Sequence, residues 1–124
     1  MTKILIVDDD FISLEVLKAM LSQYAVDIYT ATNGPDAIEL AVKVAPALII
    51  LDYEMPEMTG AEACQQLRLK PQFLHTPIIA LTGHQSPTEL NACRQAGMNE
   101  TLYKPVSPEV LAETIATYLP SLAK

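Results

Sequence analysis

Ala47-Leu48-Ile49-Ile50-Leu51-Asp52-Tyr53-Glu54-Met55-Pro56 decides how this chain is read. A helix would need apolar residues at intervals of three and four, whereas this run is continuous, short and branched. It reads as a strand buried on both faces. Pro46 stops whatever helix precedes it, and Asp52 is carried to the mouth of the strand, where burial ends. A second run, Lys3-Ile4-Leu5-Ile6-Val7, also ends in acid, at Asp8-Asp9-Asp10.

Working outward, strand and helix patterns alternate. Ile12 to Tyr24 places Leu17, Met20, Leu21 and Tyr24 at helical spacing, and Val26 to Ala31 reads as a strand. Asn33-Gly34 is expected to turn, with Pro35 in the first turn of a helix through Ala45 whose apolar face is Ile38, Ala41 and Val42. Ala61 to Leu69 carries Cys64 and Leu67 in a third helix, and Pro71 prevents continuation. Ile78 to Leu81 is a fourth strand, ending at Thr82-Gly83. Ser86-Pro87-Thr88-Glu89 has the form of a capping box opening a helix to Ala96, with Gly97 beyond its end. Thr101-Leu102-Tyr103 is a fifth strand, and Ser107-Pro108-Glu109 starts a last helix bearing Leu111, Ile115, Tyr118 and Leu119, closed by Pro120.

Five such units predict an α/β fold, a doubly wound parallel (βα)5 sheet of flavodoxin-like order 2-1-3-4-5. The 124 residues suit a single domain, 1–124, with a core over about 3–120. Half of them are hydrophobic, enough for that core. No apolar run approaches the ~20 residues that span a bilayer, and the apolar stretch before Asp8 is too short for a secretory signal. No membrane contact by this chain is expected. Cys64 and Cys93 match no metal-ligand spacing and are expected to be buried free thiols, which places the chain in the cytoplasm. A net charge of -7 opposes direct binding to nucleic acid.

In a parallel sheet all strand C-termini share one end, and ligands bind there beside the reversal of strand order. Strands 1 and 3 are neighbours in the expected order, so Asp8, Asp9 and Asp52 converge, joined by Thr82 from strand 4 and Lys104 from strand 5. Crowded carboxylates repel, and a hard divalent cation with oxygen ligands relieves them. Mg²⁺ is the expected cofactor, and Mn²⁺ can substitute. Asp9 and Asp52 are the expected direct ligands, Asp8 acts through a water, and the Glu54 backbone carbonyl completes the set. A strand-end aspartate is also a nucleophile toward phosphorus, with Lys104 and Thr82 suited to hold phosphoryl oxygens. Gly83 leaves space beside Thr82. Asp10 is expected to cap the following helix.

At these residues the chain resembles the receiver (response-regulator) domain of two-component signalling. The resemblance rests on Ile4 to Asp9, on Asp52 with Met55-Pro56 and Gly60, on Ile79 to Thr82, and on Lys104-Pro105; it covers essentially the whole chain. It implies phosphorylation of Asp52 from a histidine kinase or histidine phosphotransfer protein, with Mg²⁺. It also implies movement of Thr82 toward the phosphoryl group, pairing by Lys104, loss of the phosphate by self-catalysis, and a cis peptide between Lys104 and Pro105. Residues 91–99 resemble, more softly, receivers associated with hybrid histidine kinases. Glu54 and His84 occupy the two variable positions flanking the pocket and are expected to tune the reaction.

Receivers usually carry an aromatic residue three positions before the lysine; here that position is Thr101. Coupling from Thr82 outward is expected to be weaker, or to run through backbone shift and Tyr103. Output is expected through residues 87–96, 101–103 and 108–118, toward an unknown downstream protein. A constitutive interaction module is the alternative, although no key residue is missing. A dinucleotide-binding oxidoreductase would need G-x-G-x-x-G after strand 1, where this chain is acidic. An aspartyl-phosphate phosphatase would need a second Asp where Glu54 stands, and a cap for which there is no spare length.

Overall fold

The computed structural model describes residues 1–83 and 86–122. Five strands, β1 (Thr2–Val7), β2 (Val26–Ala31), β3 (Leu48–Asp52), β4 (Ile78–Thr82) and β5 (Glu100–Tyr103), form one sheet in the order 2-1-3-4-5. Every pairing is parallel. The helices between and after them are α1 (Phe11–Leu21), α2 (Gly34–Val44), α3 (Gly60–Arg68), α4 (Pro87–Ala96) and α5 (Pro108–Tyr118). β3 and β4 are buried along their whole length, as their unbroken apolar sequence requires.

The sheet separates two cores. On one face α2, α3 and α4 cover Leu5, Val7, Ile49, Leu51 and Ala80; on the other α1 and α5 cover Ile4, Ile6, Ile50, Ile79 and Leu81. Alternate residues of each strand feed opposite cores, which is the period-two geometry of an extended chain. Cys64 and Cys93 are free and buried in the first core, where burial pushes the Cys64 thiol up to about 11.

Local details differ from expectation where side chains compete for backbone groups. α1 ends at Leu21 rather than Tyr24, because the Ser22 hydroxyl donates to the Ala19 carbonyl and closes the last turn. Tyr24 still packs on the second core from outside the helix. Asn33 is an N-cap rather than part of a turn: its side chain accepts from the Asp36 amide at 2.8 Å. α2 stops one residue early, with Ala45 left-handed at φ 52 before Pro46. A short 3-10 helix, Pro71–Phe73, drives Phe73 into the core.

Arg68, at the end of α3, gathers this side of the molecule. Its guanidinium donates to the carbonyls of Gly97, Phe73 and Thr76 and to Asn99 Oδ1. Gly97 is left-handed at φ 95 beyond α4, as expected for that residue.

Candidate functional site

Register brings the distant residues together. Val7 pairs with Leu51, so Asp8 and Asp52 emerge from the sheet side by side. Asp52 pairs with Leu81, the residue before Thr82, and the Lys104 amide donates to the Thr82 carbonyl at 2.9 Å. One carboxylate oxygen each from Asp8, Asp9 and Asp52 lies within 4.8 Å of the others. Asp8 is fully buried and Asp52 only 3% exposed, whereas Asp9 faces solvent. Asp10 sits outside this group and caps α1, accepting from the Ile12 amide and the Ser13 hydroxyl.

Lys104 bridges the two buried acids. Its ammonium lies 2.9 Å from Asp8 Oδ2 and 3.2 Å from Asp52 Oδ1. The Asp8 contact is a close ion pair, and Lys104 is the one group among the described residues that faces Asp8 Oδ2 with a proton. Asp8 Oδ1 accepts from the Asp10 amide at 2.9 Å. Burial, then the charge of Asp8, push the Asp52 carboxyl up to about 7; Lys104 pulls it down only in part. Lys104 itself is raised: burial works against its charge, but the hydrogen bond and charge of the two acids outweigh that. One ammonium therefore does not satisfy the acids. A buried carboxylate that shares a single ammonium, beside two further carboxylates within reach, suits a hard oxygen-binding cation such as Mg²⁺.

The loop after β3 is pressed against the Asp52 backbone. The Gly60 amide donates to the Tyr53 carbonyl at 2.9 Å, and a Cβ at Gly60 would stand 2.4 Å from the Asp52 carbonyl oxygen. Thr59 and Glu62 close a reciprocal capping box that starts α3 at that point. Sequence reasoning missed this box, although the T-x-x-E spacing announces it. The side chain of Glu54 faces outward and is not among the three clustered carboxylates, so a metal role for Glu54 falls to its backbone carbonyl.

Thr82 is 1% exposed, and its hydroxyl donates to Glu89 Oε2 at 2.9 Å. That bond corrects the capping box expected at Ser86. Ser86 is the N-cap of α4, but its side chain makes no cap, and the Glu89 carboxylate is turned to the strand instead. A Cβ on Gly83 would meet nothing within 4 Å, so glycine relieves no clash there. The Lys104–Pro105 peptide is cis. Thr101 is half-buried and Tyr103, which pairs with Thr82, is 38% exposed; both lie on one side of β5, with buried Leu102 on the other. His84 lies outside the described residues.

Comparison with known proteins agrees with this geometry. The response regulator receiver domain family matches residues 4–116. The signal transduction histidine-protein kinase BarA of Escherichia coli is 31% identical over 117 residues, 94% of this chain but 13% of that protein, so the chain spans a small part of that relative. Vibrio cholerae chemotaxis protein CheY4 superposes with a TM-score of 0.89 at 33% identity, covering 95% of this chain and 98% of that one. The receiver domain of sensor histidine kinase PA1611 from Pseudomonas aeruginosa, solved with a magnesium ion in its active-site cleft, gives 0.89 at 28% identity over 96% and 98% of the two chains. Strand-end acids, a bridging lysine and this sheet order thus coincide with a match over nearly the whole sequence, and the chain belongs to the response regulator receiver domain family of two-component and phosphorelay signalling.

Proposed function

We propose that Asp52 accepts a phosphoryl group from a phosphohistidine on a histidine kinase or histidine phosphotransfer protein. The observation that carries this is the buried convergence of Asp52, Asp8 and Lys104 at the C-terminal end of a parallel sheet. An Asp52 carboxylate oxygen forms the new O–P bond while the donor's P–N bond breaks, and the electron pair leaves on the imidazole nitrogen. Lys104 neutralises charge on the phosphoryl oxygens, and the Thr82 hydroxyl supplies a donor to one of them. Asp8, Asp9, Asp52 and the Glu54 carbonyl would hold Mg²⁺, or Mn²⁺ in its place. When bound, the cation offsets acid repulsion and phosphoryl charge together. Hydrolysis of the aspartyl phosphate by the same residues restores the starting state, with the exposed Glu54 tuning its rate together with His84.

The donor meets the protein beside α1. Phe11 and Ile12 are each 70% exposed there, next to a groove of about 300 Å³ running from Asp8 to Lys104 and Pro105. Output leaves through α4, β5 and α5, where Val110 is exposed and Tyr103 lines a second groove of about 300 Å³ with Leu90 and Arg94 of α4. The chain works as a single domain, 1–124, in the cytoplasm; no described helix is long and apolar enough to cross a membrane.

The test is the intact mass after incubation with Mg²⁺ and acetyl phosphate. One labile phosphoryl group is expected, absent after chelation and absent in Asp52→Asn. No adduct, or an adduct undiminished in Asp52→Asn, overturns the assignment.

A further inference from the structure

The Thr82–Glu89 hydrogen bond joins the end of β4 to the first turn of α4. A hydroxyl has one proton to donate. While the Glu89 carboxylate takes it, a phosphoryl oxygen on Asp52 cannot. Glu89 therefore competes with the phosphoryl group for the same donor.

Glu89 also has a second place to go. It stands three residues after Ser86, the spacing at which a carboxylate reaches back to the N-cap amide. In α3 the equivalent pair, Thr59 and Glu62, makes both bonds of the box. In α4 the box is open, because Glu89 is engaged by Thr82. Helix N-termini favour a carboxylate, so a released Glu89 has a favourable partner in the first turn of its own helix. Glu89 is half-buried and lies close to the site. Tyr53, next to Asp52, and Cys93, one turn along α4, are near enough that, after burial, the Glu89 charge is the next cause raising both.

Resting on the assignment of Asp52 as phosphoacceptor, we propose that Glu89 is a positioning residue that holds Thr82 in the unphosphorylated state and carries its release to α4. Phosphorylation replaces the Asp52 carboxylate with a group that carries nearly two negative charges and three acceptor oxygens. The phosphoryl oxygens capture the Thr82 hydroxyl and repel Glu89, which swings to the Ser86 amide. The box closes and the start of α4 is reset. The signal thereby reaches the output face without an aromatic side chain at position 101, where Thr101 is half-buried.

The test combines two measurements on wild type, Glu89→Ala, Glu89→Gln, Thr82→Val and the double variants, each checked for folding by circular dichroism. The first is the rate of phosphoryl uptake from acetyl phosphate with Mg²⁺. A hydrogen bond to a charged acceptor biases the equilibrium by about tenfold or more, so Glu89→Ala is expected to take up phosphate about tenfold faster. Glu89→Gln retains an acceptor and stays nearer wild type. In the Thr82→Val background the acceleration disappears. Equal rates for Glu89→Ala and wild type, acceleration undiminished in Thr82→Val, or Glu89→Gln as fast as Glu89→Ala overturns the proposal, the last because charge alone would then suffice. The second measurement is the Thr82–Glu89 double-mutant cycle in urea unfolding, which needs no phosphate. It is expected to show coupling of about tenfold in the unfolding constant, and additivity overturns the latch. If wild type takes no phosphate at all, the assignment of Asp52 falls, while the cycle still decides whether Glu89 holds Thr82.

Discussion

Removing the charge of Asp52 should make the metal-free protein more stable at alkaline pH, and the size of the effect follows from the structure. Asp52 is 3% exposed, lies beside the fully buried Asp8, and among the described residues has only Lys104 as a direct counter-cation. Its carboxyl is raised from 3.8 to about 7, so the folded state holds a proton that the unfolded chain has already released. Stability from this group accordingly falls as pH rises between those values and is flat above the folded one. Between about pH 5 and about pH 8 the loss is about 2–3 kcal/mol, or about 10 °C in midpoint for a domain of this size. Asp52→Asn keeps the shape and lacks the titration. Urea and thermal melts in chelator, at both pH values, should show the wild type losing that amount relative to Asp52→Asn. Saturating Mg²⁺ at the higher pH should restore wild type, because the cation binds the folded state and relieves the same repulsion. Parallel pH profiles for the two proteins would refute the reasoning, since Asp52 would then be ionised without penalty.

Lys104→Met leaves Asp8 and Asp52 buried without their ammonium, and should destabilise the metal-free protein by about 2–3 kcal/mol at neutral pH, less than a fully enclosed pair because Lys104 is 29% exposed; the loss should shrink at pH 5, read by urea midpoints. Gly60→Ala forces a Cβ against the Asp52 carbonyl, and should cost about 1–3 kcal/mol and slow phosphoryl uptake, read by melting and by intact mass. Arg68→Lys gives up the fork that spans Gly97, Thr76 and Asn99, and should cost about 1–3 kcal/mol in unfolding while phosphoryl uptake is unchanged.

Sheet order, strand positions and the convergence of Asp8, Asp9, Asp52, Thr82 and Lys104 were legible because they follow from chain-local patterns. A parallel strand buried on both faces must be continuously apolar, and its polar end marks the ligand side. Less legible was anything in which one side chain chooses between partners. The letters of Ser86 to Glu89 match a capping box as well as those of Thr59 to Glu62 do. Only the first lies beside a buried strand-end hydroxyl, and there the tertiary contact wins. Ser22 likewise ends α1 before the apolar periodicity runs out.

The partition of the interior by the sheet bears on how such a domain diversifies. Alternate residues of a strand commit to opposite compartments, so a repacking beneath α1 and α5 leaves the compartment beneath α2, α3 and α4 largely untouched. Recognition of a donor at α1 can drift, or be redesigned by grafting, without retuning the packing that supports α4. The shared wall is β1, β3 and β4, and it carries Asp8, Asp52 and Thr82 at its rim. New partners are then an easier change than new chemistry, because the groups proposed to react hang from the strands that both compartments hold in place.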